Sequence, residues 1–407
     1  MTITREAPLA PVPGAAHAGP PRVALYSHDA LGLGHIRRNL ALAHALAGSA
    51  EAPDILLLTS APEVVAGDRP DRCDVVALPG VAKSADGTYT SRHLSLDRGH
   101  LGRMREGILS AALDAFRPDV LIVDKHPRGL SGELEPALEM LAAHGTRVVL
   151  GIRDVLDDPL VTRQEWLADR TRDALARWYH QIWVYGDRRL HDPLALLPIP
   201  RHIAKNVIYT GYLAHGRGSS GCRPAKRPYV LAAFGGGADG FTVADAFVRS
   251  ELPHGYDGIL LAGPQMPPEQ VRDLERIAAQ RTDMRVVASV DDAAGLVAGA
   301  AALVGMGGYN TVCEAIAART PMLVIPRVVP RREQLVRASV MSEAGLIDML
   351  LPESLSPEAI SAWLRMSTLR ADRPTPASVD LDGLRRIPGL VEGLVASRRK
   401  DVAHAHL

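Results

Sequence analysis

Val304-Gly305-Met306-Gly307-Gly308-Tyr309-Asn310-Thr311-Val312-Cys313-Glu314-Ala315-Ile316 is the stretch that decides the fold. An apolar run, Ala302–Gly305, ends at a pair of glycines, and a helix-length amphipathic segment follows. In a βα unit of this kind the turn brings backbone N–H groups and a helix N-terminus to one point. Asn310 and Thr311 are capping-type residues that would open the helix. Glu314 then falls about one turn in, within reach of a group held at the helix end. Two readings stand side by side. A diphosphate could sit at the helix end with a ribose diol on Glu314, or Thr311-x-x-Glu314 could be a capping box that needs no ligand.

Outward from this segment, Pro326-Arg327-Val328-Val329-Pro330-Arg331-Arg332-Glu333-Gln334 follows the next apolar run and opens another helix. Arginine suits phosphate oxygens, and a Glu-Gln pair suits sugar hydroxyls, although a solvated loop has the same composition. Upstream, Phe234-Gly235-Gly236-Gly237-Ala238-Asp239-Gly240 places three glycines after an apolar run. They could form a concavity of N–H groups for a phosphate, or serve packing alone. Further upstream is Ser27-His28-Asp29-Ala30-Leu31-Gly32-Leu33-Gly34-His35, before the helical run Arg37–Ala47. Gly32 and Gly34 allow close backbone approach. His35 at a helix N-terminus would be held in the neutral form that can act as a base, or would simply cap the turn. The pattern is not the dinucleotide fingerprint, since Ile36 and Arg37 replace what should follow.

Ten apolar runs alternate with helical stretches, the order of βα units around parallel sheets. Five precede residue 215: Arg22–Ser27, Asp54–Thr59, Asp119–Val123, Arg147–Ile152 and Ile182–Tyr185. Five follow residue 228: Tyr229–Phe234, Gly258–Ala262, Arg285–Ala288, Ala302–Gly305 and Met322–Ile325. Between them His215–Pro228 is dense in Gly, Ser, Pro and charge and reads as a linker. The expected organisation is a flexible tail (1–20), a Rossmann-like domain (21–214), the linker (215–228), a second such domain (229–380), and a C-terminal helix and tail (381–407). Val81–Arg105 reads as a long polar connection, a place for acceptor contacts through Lys83, Tyr89 and Arg92 or a solvated loop.

The 407 residues carry 46 Lys+Arg against 46 Asp+Glu, so there is no basic excess for displacing counterions from nucleic acid. Three cysteines cannot build a disulfide framework or a four-thiolate zinc site and fit a reducing compartment. No run reaches the roughly 18–20 apolar residues of a membrane span. The first residues have no apolar core of a signal peptide. His93, His100 and His126 are scattered rather than spaced as metal ligands. These features point to a cytoplasmic protein without a metal or other cofactor, with peripheral membrane contact left open.

The motifs Ser27-His28-Asp29…Gly32-Leu33-Gly34-His35-x-Arg37-Arg38-Asn39, Asp124-Lys125-His126-Pro127 and Met306-Gly307-Gly308-Tyr309-Asn310-Thr311 together resemble those of GT-B glycosyltransferases. The resemblance is to family 28, the branch with the enzyme that forms the lipid-linked peptidoglycan precursor, and within it to a group of bacterial glycosyltransferases. It runs from residue 22 to about residue 350. It implies an α/β fold of two Rossmann-like, doubly wound domains facing across a cleft. It also implies inverting, metal-independent transfer of a sugar, most simply from a UDP-sugar, to an acceptor hydroxyl. The diphosphate would meet Gly307–Thr311 and Gly235–Gly237, with Met306 where some members carry a phosphate-contacting histidine. Arg331 or Arg332 would supply charge, Glu314 would hold the ribose, and Glu333 and Gln334 the sugar. His35 would be the base, oriented by Asp124. A non-hydrolysing UDP-sugar 2-epimerase or a non-catalytic nucleotide-sugar-binding subunit are the alternatives. A phosphorylase would need a cofactor lysine, and no lysine lies between Lys226 and Lys400.

Overall fold

Among the described residues the strands form two parallel sheets and a separate two-stranded antiparallel pair. In the first half of the chain they are β1 Arg22–Tyr26, β2 Asp54–Thr59, β3 Cys73–Ala77, β4 Val81–Lys83, β5 Tyr89–Ser91, β6 Val120–Asp124, β7 Arg147–Arg153, β8 Gln181–Tyr185 and β9 Val207–Tyr209. In the second half they are β10 Tyr229–Ala233, β11 Asp257–Leu261, β12 Met284–Val287, β13 Ala302–Gly305, β14 Met322–Val324 and β15 Asp348–Met349. This computed structural model describes residues 19–29, 33–62, 69–83, 89–217, 227–290, 292–369 and 379–405.

The first sheet has the order β3-β2-β1-β6-β7-β8-β9 and the second β12-β11-β10-β13-β14-β15. In each, the order reverses beside the first strand of its half, between β1 and β6 and between β10 and β13. Ligands of doubly wound sheets bind at such reversals, beyond the carboxyl ends of the strands. The three glycine turns and the Asp124–Pro127 motif lie at the ends of these four strands, whereas Pro326–Gln334 follows β14.

Burial explains the apolar runs. Val23 and Leu25 of β1 enter one core cluster, while Ala24 and Tyr26 enter another on the opposite face. A strand covered on both faces cannot alternate apolar with polar residues. The cluster holding Val23 and Leu25 continues through Tyr212, Leu213 and Tyr229 into Leu231 and Leu303, so apolar packing runs unbroken from one sheet to the other. The last helix, Gly383–Ala405, returns to the first half. Arg398 pairs with Asp119 and donates to His144 O at 3.2 Å.

Four sequence expectations need correction. The helix after β1 spans Gly34–Ala47 rather than starting at Arg37, which puts Gly34 and His35 inside its first turn. The stretch from Val81 to Arg105 is not one connection: β4 and β5 pair as an antiparallel hairpin, and a helix runs from Arg98 to Phe116. The terminal helix starts at Gly383 and extends beyond Arg398. The edge strands β3, β9 and β15 were not expected: β9 and β15 have three and two residues, and the apolar run of β3 is broken by Asp74. Gly32 and most of the linker, residues 218–226, lie outside the described residues. Among the described residues no helix is long and apolar enough to cross a membrane.

Candidate functional site

At the first reversal, His35 Nδ1 lies 2.9 Å from Asp124 Oδ2 at the end of β6. Asp29, in a left-handed conformation (φ 43°), positions the helix carrying His35 by accepting Ile36 N at 3.0 Å. Its other carboxylate oxygen accepts the Ser27 hydroxyl at 2.6 Å. Arg38, one turn beyond His35, reaches both oxygens of Asp124, at 2.7 and 2.5 Å.

Burial alone would raise the pKa of Asp124, but Arg38 and His35 outweigh it and hold the carboxyl well below its usual range. An ionised carboxylate only accepts, so the proton between the pair belongs on Nδ1 and Nε2 is left as the basic nitrogen. Arg38 Nη2 is also 3.1 Å from Nδ1, but both are then donors and no hydrogen bond forms there. Burial lowers the His35 pKa; Asp124 opposes this, and Arg38 and Arg153 add to it. His35 is therefore neutral at neutral pH.

His35 has company that sequence spacing did not show. The His28 ring lies 5.0 Å from His35 and 4.5 Å from His126, so His126 belongs to this cluster. Burial holds His28 and His126 well below the ordinary histidine value, with repulsion from His126 and His35 adding to the shift of His28 and repulsion from Lys125 and His35 to that of His126. Beside them a cavity of about 310 Å³ opens, lined by His28, Lys125, His126, Trp166 and, from the second half, Arg331.

At the second reversal, Gly235 and Gly237 adopt positive φ (61° and 90°), and a Cβ on Gly237 would stand 2.1 Å from Ala262 O. Gly307 is also left-handed (φ 77°) and packs on Val324, whereas Gly308 faces open space. The helix Tyr309–Ala318 has Gly308 as its N-cap and no side-chain cap. Asn310 and Thr311 thus lie inside the first turn, and the expected Thr311–Glu314 capping box is absent. Its first N–H groups are not taken by a side-chain cap, the arrangement that suits an anion. Gly235, Thr311 and Glu314 line one groove together with Gly263, Ser289 and, from the first half, Arg37. Glu314 faces Arg217 at 3.4 Å, and that guanidinium also donates to Asn310 Oδ1 at 2.9 Å. Burial raises the Glu314 pKa, with Arg217 and Arg37 opposing.

The two reversals face each other. Asn310 Nδ2 donates to Gly34 O at 3.2 Å, and the Tyr309 hydroxyl donates to Tyr185 O at 2.9 Å while accepting Leu213 N at 3.0 Å. Arg337 lies between Asp154 (2.6 Å) and Glu333 (3.0 Å), and Arg153 reaches Glu333 at 2.6 Å. Burial would raise the Glu333 pKa, but Arg153 and Arg337 hold it at about 2.

This network changes several sequence expectations. Glu333 spends its carboxylate on two arginines, and Gln334 Oε1 accepts Arg327 N at 2.8 Å, so neither is a free sugar ligand. Arg331 pairs with Asp157 (2.8 Å) and Glu165 (2.6 Å), so it joins the domains rather than awaiting a phosphate, while Arg332 donates its backbone N–H to Asp157 and holds its guanidinium 3.7 Å from Asp158. Met306 is packed in the second core with Val304 and Ile325. Gly236 sits between the two left-handed glycines, and its carbonyl accepts Gln265 N at 2.7 Å. Arg92 braces the first turn by donating to Asp29 O and Val81 O, both at 3.2 Å. Lys83 and Tyr89 lie on the paired strands β4 and β5. The sequence reading assigned no role to Asp29, Arg38, Arg153, Asp154 or Arg217. Only Arg38 left a usable signal, an arginine three residues from His35 on the buried face of its helix.

No family model matches the chain. A protein of Methanosarcina mazei described as an uncharacterized glycosyltransferase is 25 % identical over 143 residues, which span 35 % of this chain and only 36 % of that protein. Similar solved structures align over nearly the whole length. The glycosyltransferase of kitacinnamycin has 19 % identity and a TM-score of 0.58, covering 95 % of this chain and 99 % of its own. MurG of Acinetobacter baumannii has 13 % identity and a TM-score of 0.57, covering 92 % and 100 %. The glycosyltransferase VinC, solved in complex with dTDP, has 16 % identity and a TM-score of 0.54, covering 94 % and 98 %. With two doubly wound parallel sheets whose reversals meet across a shared cleft, the chain has the GT-B glycosyltransferase fold.

Proposed function

We propose that the protein is an inverting glycosyltransferase of the cytoplasm that moves a sugar from a nucleoside-diphosphate sugar, UDP-linked by resemblance, to an acceptor hydroxyl. The observation that carries this reading is the opposition of two half-sites. A neutral histidine oriented by a buried carboxylate stands at one reversal, and an uncapped helix N-terminus with positive-φ glycines stands at the other. The diphosphate fits the N–H groups of Gly235, Gly236 and Gly308–Thr311, with Gly237 N–H held by Phe234 O, and the ribose diol fits Glu314 in the groove shared with Arg37. The helix end takes the growing charge of the leaving group, so no metal or other cofactor enters the reading.

The reaction is a single displacement. His35 Nε2 takes the acceptor proton as that oxygen bonds to the anomeric carbon. The bond from that carbon to the diphosphate oxygen breaks, and the departing nucleoside diphosphate carries away the electron pair. Attack opposite the leaving group inverts the anomeric centre. Asp124 stabilises the imidazolium that forms.

Calorimetric titration with UDP, dTDP, GDP and ADP tests the donor half. One nucleotide should bind tightly, and Glu314→Ala should weaken it about ten- to hundredfold, the loss of a charge-assisted bond of roughly 1.5–3 kcal/mol. Binding of none of the four would overturn the donor assignment. Conversion of a UDP-sugar in the absence of any acceptor would identify an epimerase instead.

A further inference from the structure

The cavity beside the histidine cluster carries two cations that no carboxylate of the described residues pairs with. Arg331 is satisfied by Asp157 and Glu165, and Asp169 is held by Arg128 at 3.1 Å. Two cations remain. The Lys125 ammonium makes no ion pair or hydrogen bond among the described residues, and Arg98 donates only to the neutral hydroxyl of Ser131, at 2.9 Å. The buried Nδ1 of His28 also has no hydrogen-bond partner among the described residues. Buried polar groups are usually satisfied, so the unpartnered His28 nitrogen, with an unpaired ammonium beside it on the same cavity, points to something that arrives from outside.

The backbone agrees. Lys125 follows β6 in a left-handed conformation (φ 67°), held by its N–H to Gly151 O at 2.8 Å. For a residue with a side chain this conformation carries a cost of roughly 1–2 kcal/mol, and such strain concentrates where function requires it. Here it turns the residue directly after Asp124 into the cavity wall. The route from cavity to base is short: His28 lines the cavity, and its ring is 5.0 Å from His35.

We propose that this cavity is the acceptor subsite and that the acceptor carries an anionic group, a phosphate or a carboxylate, held by Lys125 with Arg98 on the same wall while its hydroxyl is presented to His35. The assignment rests on the transferase reading for the words donor and acceptor; the anion site itself stands on the cavity. Trp166 and Leu156 supply an apolar wall against which the body of a sugar or a ring can pack.

Burial and Arg153 bring the Lys125 pKa down to about 8, with Glu333 and Glu165 opposing and Arg331 adding to the shift. The ammonium is therefore charged below about pH 8 and loses its charge above it, so anion affinity should fall as pH rises through that value. Replacing Lys125 by methionine should abolish that dependence.

The experiment is calorimetry or phosphorus NMR with inorganic phosphate, glucose 6-phosphate, glucuronate and glucose, each with UDP saturating so that the donor groove is filled. Glucose 6-phosphate or glucuronate should bind at least tenfold more tightly than glucose, and which one binds fixes the anion. Lys125→Met should weaken binding at least tenfold. Arg98→Gln, an exposed change that leaves the fold unburdened, should weaken it several-fold. No preference for the anions over glucose, or equal anion binding in wild type and both variants, overturns the proposal. UDP binding that is sensitive to Glu314→Ala beside a failed anion arm leaves the transferase reading standing. Anion binding lost in Lys125→Met, in a protein that binds no nucleotide, keeps the anion site and removes the transferase reading.

Discussion

At the scale of the residue, the site turns on the protonation of His35. Burial, with Arg38 and Arg153, pushes its pKa down, so the imidazole is already a base at neutral pH. On its acid side the rate should be flat through pH 7 and fall as pH drops below the ordinary histidine value of about 6.5. A pH profile of kcat/KM measures this, and an acid limb above pH 7 would contradict it. Arg38→Met removes a cation beside the ring, so the limb should move to higher pH; a purely structural arginine would change the height of the profile and not its position. His35→Ala should lower kcat by about 10²–10⁴-fold with nucleotide affinity unchanged, as single-turnover and binding measurements would show. The pairing of His35 with Asp124 was what the family resemblance implied, and the two meet at 2.9 Å. Arg153 and Arg217 were not legible, since their partners Glu333 and Glu314 are far along the chain and meet them only after two sheets have formed.

At the scale of the element, the strands were readable because burial on both faces leaves a continuous apolar run, while the edge strands β3, β9 and β15 give no such run. The glycine turns were readable as turns, but their separate duties were not. Gly237 is closed in: φ is 90° and a Cβ would press on the Ala262 carbonyl at 2.1 Å. Gly308 has an ordinary φ of −61° and open space around it. Gly237→Ala should therefore lower the melting temperature markedly. Gly308→Ala should leave it within the change expected for a surface substitution, about 0.5 kcal/mol, and yet weaken nucleotide binding, because the methyl group stands where a diphosphate would approach the helix end. Thermal denaturation beside UDP titration separates the two effects. The missing capping box carries the same lesson: Thr311-x-x-Glu314 fits the motif in sequence, but the N-cap is Gly308, three residues earlier, which leaves Glu314 to Arg217.

At the scale of the whole molecule, the halves are joined by buried charge as well as by apolar packing. Asp154 and Arg337 are almost wholly buried and meet at 2.6 Å. Breaking such a pair from one side strands a charge, at a cost of about 3–5 kcal/mol. Asp154→Ala should lose stability of that order in urea unfolding, whereas Asp154→Leu combined with Arg337→Met should recover most of it. The chain passes between the domains twice, and the two passages are tied to each other: Tyr212 N donates to Asp380 O at 2.8 Å, Gly383 N to Tyr212 O at 3.0 Å, and His215 N to Leu381 O at 3.1 Å. Bonded side by side, the two passages fix the halves along one line, so any opening of the cleft would have to turn about that line and part the Asp154–Arg337 pair and the apolar packing behind it.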